Sequence, residues 1–88
     1  MSTPKLHNEW DINAERLQRT YVLASFPEAI DFMAACVQCI EDMDHHPVWT
    51  NRYRKVIVEL QSHDVGRVTD RDYVLARELD LVFTRFKS

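Results

Sequence analysis

Glycine is almost absent from this chain of 88 residues, in which Gly66 is the only one. No apolar run approaches the roughly 20 residues that a membrane-spanning helix needs. Basic residues form no lysine-rich face, and the formal net charge is -3. The lack of a long apolar run argues against a membrane-spanning helix. The lack of a basic face argues against a general role at nucleic acids or membrane surfaces. A small neutral or cationic ligand suits the charge better.

The N-terminus also lacks the apolar segment of a secretory signal, so the expected location is cytoplasmic. Cys36 and Cys39 are the only cysteines, and they lie among small apolar residues at the spacing of one helical turn. A thioredoxin-type motif needs its first cysteine at a helix start after a strand, which this position does not offer. We therefore expect buried, reduced thiols that act as small hydrophobic side chains.

The length allows one domain over residues 1–88, and residues 1–8 are polar enough that we expect them to be frayed. Apolar periodicity predicts the order strand, strand, helix, strand or strands, helix. The first four segments cover residues 10–12, 16–24, 25–43 and 49–62, and the last helix begins after its cap, Thr69. The segment 49–62 fits either one long strand or two with a bend near Asn51. This order predicts an α+β fold, an antiparallel sheet with helices on one face.

Side-chain patterns predict which faces are buried. In the second strand Arg19 interrupts an otherwise apolar face. In the last helix Asp80 falls on the polar side, together with Arg77 and Thr84.

The first helix is apolar over far more than the roughly 100° that packing on one surface requires. A stripe of Phe26, Ile30, Met33, Val37 and Ile40 is widened by Ala29, Phe32, Cys36, Cys39 and Met43. We therefore expect this helix to contact another subunit, in a homodimer or homotetramer.

Two adjacent histidines stand between the first helix and the following strand, in the sequence Asp44-His45-His46-Pro47. Pro47 removes a backbone donor and favours an extended conformation for His46. Histidine exchanges protons near neutral pH, so the pair indicates proton-transfer chemistry, although a solvated polar turn is the alternative interpretation. His63 follows the last strand on the face away from the core, unless a twist or bulge directs it elsewhere.

Taken together, these residues resemble the signature of the pterin-4a-carbinolamine dehydratases, also called 4a-hydroxytetrahydrobiopterin dehydratases. The signature consists of Glu41, His45-His46-Pro47, Tyr53, His63 and Asp72. The resemblance runs from about Trp10 to the segment Val68–Ala76 and so covers nearly all of the chain. Many relatives carry a further helix before the tryptophan. Only nine residues precede Trp10 here, so we expect that helix to be absent.

The resemblance implies one four-stranded antiparallel sheet with two helices on one face. It also implies removal of water from 4a-hydroxytetrahydropterins to give quinonoid dihydropterins, in the recycling of tetrahydrobiopterin, without a metal or an organic cofactor. The expected ligand is thus a small pterin. In such a reaction one proton is delivered to the leaving hydroxyl and another is taken from a ring nitrogen, tasks that imidazoles perform near neutral pH.

By the same resemblance His45 and His63 are the expected proton-transfer groups, and His46 is the third catalytic member. Glu41 either orients an imidazole or binds the amide edge of the pterin. The remaining expected contacts to substrate are Asp44, Pro47, Trp49 and Asp72. Asp72 also fits a structural role, because it is the third residue of a helix capped by Thr69.

Two other functions compete with this interpretation. Three histidines with nearby carboxylates can supply ligands to zinc or iron, although adjacent histidines diverge in an extended backbone. The second alternative is a non-catalytic dimerisation or assembly module of the same fold. Relatives of this kind include a dimerisation cofactor of a homeodomain transcription factor and proteins that assist carboxysome assembly. Scaffold-type relatives tend to lose the histidines, whereas this chain has all three.

Overall fold

A four-stranded antiparallel sheet forms the base of the fold in the computed structural model, which describes residues 9–86. In chain order the strands are β1 (Asp11–Ile12), β2 (Leu17–Val22), β3 (Val48–Arg52) and β4 (Lys55–Leu60), and the helices are α1 (Phe26–Met43) and α2 (Asp70–Phe83). The order across the sheet is β1-β2-β4-β3. The expectations that residues 1–8 are frayed and that no helix precedes Trp10 lie outside the described residues.

The core lies between the sheet and the two helices, as the α+β prediction requires. Alternate residues of the central strands point into it, because successive side chains of a strand face opposite sides. The fully buried members of the core include Leu17, Tyr21, Val56, Val58 and Leu60 from the sheet and Phe32, Cys36, Leu75 and Leu79 from the helices. Within residues 9–86, neither helix is both long and apolar enough to cross a membrane.

Helix α1 has the predicted cap and more apolar surface than the sheet covers. The Ser25 hydroxyl accepts a hydrogen bond of 3.2 Å from the Glu28 N–H, which fixes the helix start. On the buried side Ala29, Phe32, Cys36 and Ile40 pack into the core. On the other side Phe26, Ile30 and Val37 remain 43–49% exposed. We call these three residues the α1 apolar arc.

The segment after the histidines forms two strands, which resolves the alternatives that the sequence left open. The break is a turn at Tyr53 and Arg54, two residues later than expected, and Tyr53 has a left-handed φ of 55°. The Asn51 side chain donates hydrogen bonds of 3.0 Å to the carbonyls of Tyr53 and Lys55 and so holds the turn. The hairpin returns β4 towards the histidines.

The prediction that Asp80 faces outward is wrong. Asp80 accepts hydrogen bonds from the Arg19 guanidinium at 2.8 Å, the Tyr21 hydroxyl at 2.6 Å and the Trp10 indole at 2.9 Å. The Arg19 guanidinium also lies 4.5 Å from the centre of the Tyr21 ring. Burial, reinforced by the hydrogen bond to Asp80, raises the pKa of Tyr21 above its ordinary value. The arginine that interrupts the apolar face of β2 therefore ties the sheet to α2.

Candidate active site

The end of α1 turns the chain so that His45 points into the protein. Asp44 adopts a left-handed conformation with φ 47°, and its N–H donates to the carbonyls of Glu41 and Ile40. The His45 N–H donates to the Ile40 carbonyl at 3.3 Å. These bonds satisfy the last turn of the helix and reverse the chain direction. As a result, His45 is only 6% exposed although its neighbours in the sequence are accessible.

A buried carboxylate holds the His45 ring. His45 Nε2 lies 2.5 Å from Asp72 Oδ1, and Asp72 is fully buried. The other oxygen, Oδ2, accepts hydrogen bonds of 2.9 Å from the Thr69 N–H and the Ser62 hydroxyl. A carboxylate with two donors on one oxygen acts as an acceptor on the other as well. Nε2 therefore carries the proton in this bond, and Nδ1 is the ring nitrogen left to exchange protons.

His46 has a different environment. Its Nε2 lies 2.7 Å from Glu41 Oε2, and both side chains are more than half exposed. Of the two interpretations of Glu41, the geometry fits the one in which it orients an imidazole. Because the pair is exposed to solvent, its attraction is weaker than that of a buried pair.

A turn after β4 decides the direction of His63. The Ser62 carbonyl accepts from the N–H groups of Val65 and Gly66, and the Ser62 N–H donates to the Arg67 carbonyl. Gly66 has a φ of 68°, a conformation that glycine adopts without strain. This turn buries Ser62 and leaves His63 exposed, on the same side of the fold as the paired histidines.

The histidines meet at one shallow cleft of about 500 Å³. Its lining residues are Asp44, His45, His46, Pro47, His63, Asp64 and Arg71. Of the residues expected at the site, Glu41 contacts His46 and Asp72 contacts His45, and neither carboxylate is among the lining residues. Trp49 is not among the lining residues, and it packs instead against the hydrophobic core. Within residues 9–86, no group of three or more His, Cys, Asp or Glu side chains is arranged to bind a metal ion.

Sequence reasoning missed three residues of this region. Ser62 supports Asp72, while Asp64 and Arg71 line the cleft. Each is a direct neighbour in sequence of a residue that was singled out, which is the only signal that pointed to them. A single serine, aspartate or arginine on a surface turn or helix has no periodicity that would distinguish it.

Solved structures place this architecture among the pterin dehydratases. The chain is similar to a transcriptional coactivator/pterin dehydratase from Brucella melitensis, with a TM-score of 0.80 and 32% identity over 85% of this chain and 82% of that one. A pterin dehydratase-like protein identified as a RuBisCO assembly factor in the alpha-carboxysome gives a TM-score of 0.67 over 83% and 84% of the two chains. At 16% identity, the second likeness shows the fold alone.

Sequence comparisons define the family. The family model described as Pterin 4 alpha carbinolamine dehydratase matches residues 2–82. Two provisionally named pterin-4-alpha-carbinolamine dehydratases are each 42% identical to the chain. The one from Prochlorococcus marinus strain MIT 9312 is matched over 84% of this chain and 77% of its own. The one from Synechococcus sp. strain WH7803 is matched over 81% and 76%. The chain belongs to the pterin 4 alpha carbinolamine dehydratase family.

Proposed function

We propose that this protein dehydrates 4a-hydroxytetrahydropterins to quinonoid dihydropterins, in the recycling of tetrahydrobiopterin. The observation that carries the proposal is the bond between His45 and the buried Asp72, next to a cleft that His46 and His63 also line. Membership of the family supports the same reaction. The two free cysteines are consistent with a cytoplasmic location, where thiols stay reduced.

The reaction needs one acid and one base. As the bond between C4a and its hydroxyl oxygen breaks, a protonated imidazole delivers a proton to that oxygen and water leaves. A neutral imidazole takes a proton from a ring nitrogen, which gives the quinonoid product. His45 and His63 lie on different elements, the loop after α1 and the turn after β4, and can address one flat ring from two directions. His46, held by Glu41, is the third member, and Asp44 and Pro47 form part of the cleft wall.

Charge in the cleft fits a neutral substrate better than an anionic one. Asp44 and Asp64 line it, Arg71 is the one arginine or lysine among the lining residues, and Glu41 contacts His46. A phosphorylated or carboxylated ligand would meet more negative than positive charge here.

We also propose that the protein is a homodimer or homotetramer. The α1 apolar arc supports this, because three large side chains on one helix remain exposed. The same arc supports the second candidate function, an assembly module without catalysis, and a protein of this fold serves as a RuBisCO assembly factor. The His45–Asp72 pair favours the enzyme, since it holds an imidazole beside the cleft with one ring nitrogen left for proton exchange.

The experiment is a turnover assay on a synthetic 4a-hydroxytetrahydropterin, followed by the absorbance of the quinonoid product. The enzyme should accelerate dehydration above the buffer rate in proportion to its concentration. A rate equal to that of buffer alone, from folded protein, would refute the dehydratase and leave the assembly module as the better account.

A further inference from the structure

One arginine of α2 binds the backbone immediately before the catalytic histidines. Nη2 of Arg71 donates to the carbonyls of Met43 at 3.3 Å and Asp44 at 3.0 Å. The last carbonyls of a helix have no partners within the helix, and the last turn of α1 has no basic side chain of its own. Arg71 therefore supplies from another element the donors that α1 lacks.

Asp72, the next residue of α2, holds the ring of His45, the histidine that directly follows Asp44. Asp72 binds the His45 ring, whereas Arg71 binds the carbonyl of Asp44, the residue that precedes His45. Two consecutive residues thus fix both the backbone and the ring of His45. Arg71 also lines the cleft together with the histidines.

We propose that Arg71 is a positioning residue for the dehydration, which keeps Asp44 in its left-handed conformation and thereby aims the two histidines after it. This inference rests on the proposed function. A left-handed conformation is costly for a residue other than glycine and persists only where surrounding contacts impose it. The bonds from Arg71 are such contacts. Without them only the Asp44 and His45 N–H bonds to α1 hold the turn, so Asp44 gains freedom and the direction of His45 and His46 changes with it.

The chemistry of the side chain explains why an arginine suits this place. Its guanidinium is a flat group with donors in a fixed geometry, so one nitrogen serves two neighbouring carbonyls and the others stay available to the cleft. A lysine keeps the charge but has only a mobile ammonium group. Arg71→Lys should therefore restore part of the function that Arg71→Ala loses.

The kinetic test compares Arg71→Ala with Arg77→Ala, a matched control because Arg77 is exposed on the same helix. Misplacing a reacting group lowers turnover, so Arg71→Ala should lose roughly 10- to 100-fold in kcat. KM should stay within about twofold, because positioning acts mainly in the transition state. Since Arg71 is exposed, added methylguanidinium should recover part of the lost kcat. Unchanged kcat in Arg71→Ala, or a loss equal to that of Arg77→Ala, would overturn the proposal.

A second measurement needs no substrate. Nitrogen NMR of the histidine rings reports which nitrogen of His45 carries the proton and how strongly it is hydrogen-bonded. Arg71→Ala should move the His45 signals, Arg77→Ala should not, and Arg71→Lys should fall between them. His45 signals in Arg71→Ala that match the wild type would overturn the proposal even if turnover fell. Should the wild type lack dehydratase activity, the proposed function would fail while this spectrum still tests the positioning role. If Arg71→Ala does not fold, the His45 signals of Arg71→Lys are compared with those of the wild type. Signals that match the wild type would then overturn the proposal.

Discussion

Replacing Asp72 by asparagine separates the catalytic role of this carboxylate from its structural one. The substitution keeps the shape of the side chain and exchanges one acceptor oxygen for a donor NH2 group. In one orientation the NH2 group meets the Thr69 N–H, so that two donors face each other beside α2. In the other it meets His45 Nε2, which can accept the bond by moving its own proton to Nδ1.

The second orientation should prevail, because changing the tautomer costs less than leaving a buried donor unpaired, which is worth about 1–3 kcal/mol. The bonds of Oδ2 to Thr69 and Ser62 then survive. We expect the free energy of unfolding to fall by only about 1–2 kcal/mol, mainly from replacing charge-assisted bonds by neutral ones. Turnover should fall by about 10²- to 10⁴-fold, because Nδ1 is the nitrogen required for proton exchange and now carries the proton.

Two assays on the same samples check this: the urea midpoint, and kcat with a synthetic 4a-hydroxytetrahydropterin. Asp31→Asn is the matched control, since Asp31 is exposed on α1, and it should change neither quantity. Asp72→Ala should instead lose about 3–5 kcal/mol of stability, because it leaves several buried groups without a partner. Wild-type turnover in Asp72→Asn would refute the argument that this hydrogen bond sets the tautomer of His45.

Two further predictions concern the thiols and the assembly. Burial raises the pKa of Cys36 to about 12, so the folded state keeps this proton where the unfolded chain, with an ordinary thiol pKa near 9, loses it. The contribution of this thiol to stability is therefore complete below about pH 9 and disappears as the pH rises through the folded pKa. Cys36→Ala should accordingly flatten the fall of the melting temperature above pH 9. Light scattering at micromolar concentration should give a dimer or tetramer that Val37→Asp dissociates, whereas a mass near 10.4 kDa for the wild type would contradict the assembly.

The sequence predicted the elements whose signals are local. The Ser25 cap of α1 and the Thr69 start of α2 rest on neighbouring residues, and both helices begin where expected. The apolar alternation around Val56 and Val58 likewise identified the central strand. Such signals need no knowledge of distant parts of the chain. The sequence predicts the bend two residues before the turn at Tyr53, because that turn contains no glycine or proline to mark it.

Contacts between distant segments leave no local signal in the sequence that would predict them. Helical periodicity places Asp80 among polar residues and so predicts a surface position for it. Its partner Arg19 lies 61 residues earlier, and nothing near either residue indicates the pair. Similarly, the family signature named Asp72 and His45 without revealing that they touch. The direction of the His63 side chain depends on the turn after β4. The alternation of buried and exposed residues ends with the strand and so does not predict this direction.

The most direct test of the account is the turnover of His45→Ala and His63→Ala, measured beside the wild type on a synthetic 4a-hydroxytetrahydropterin. If these histidines transfer the two protons, each replacement should lower kcat by about 10²- to 10⁴-fold, with a smaller change in substrate binding. The double variant should lose less than the product of the single losses if both groups act in one step. Full turnover in both single variants would contradict acid–base catalysis by this cleft.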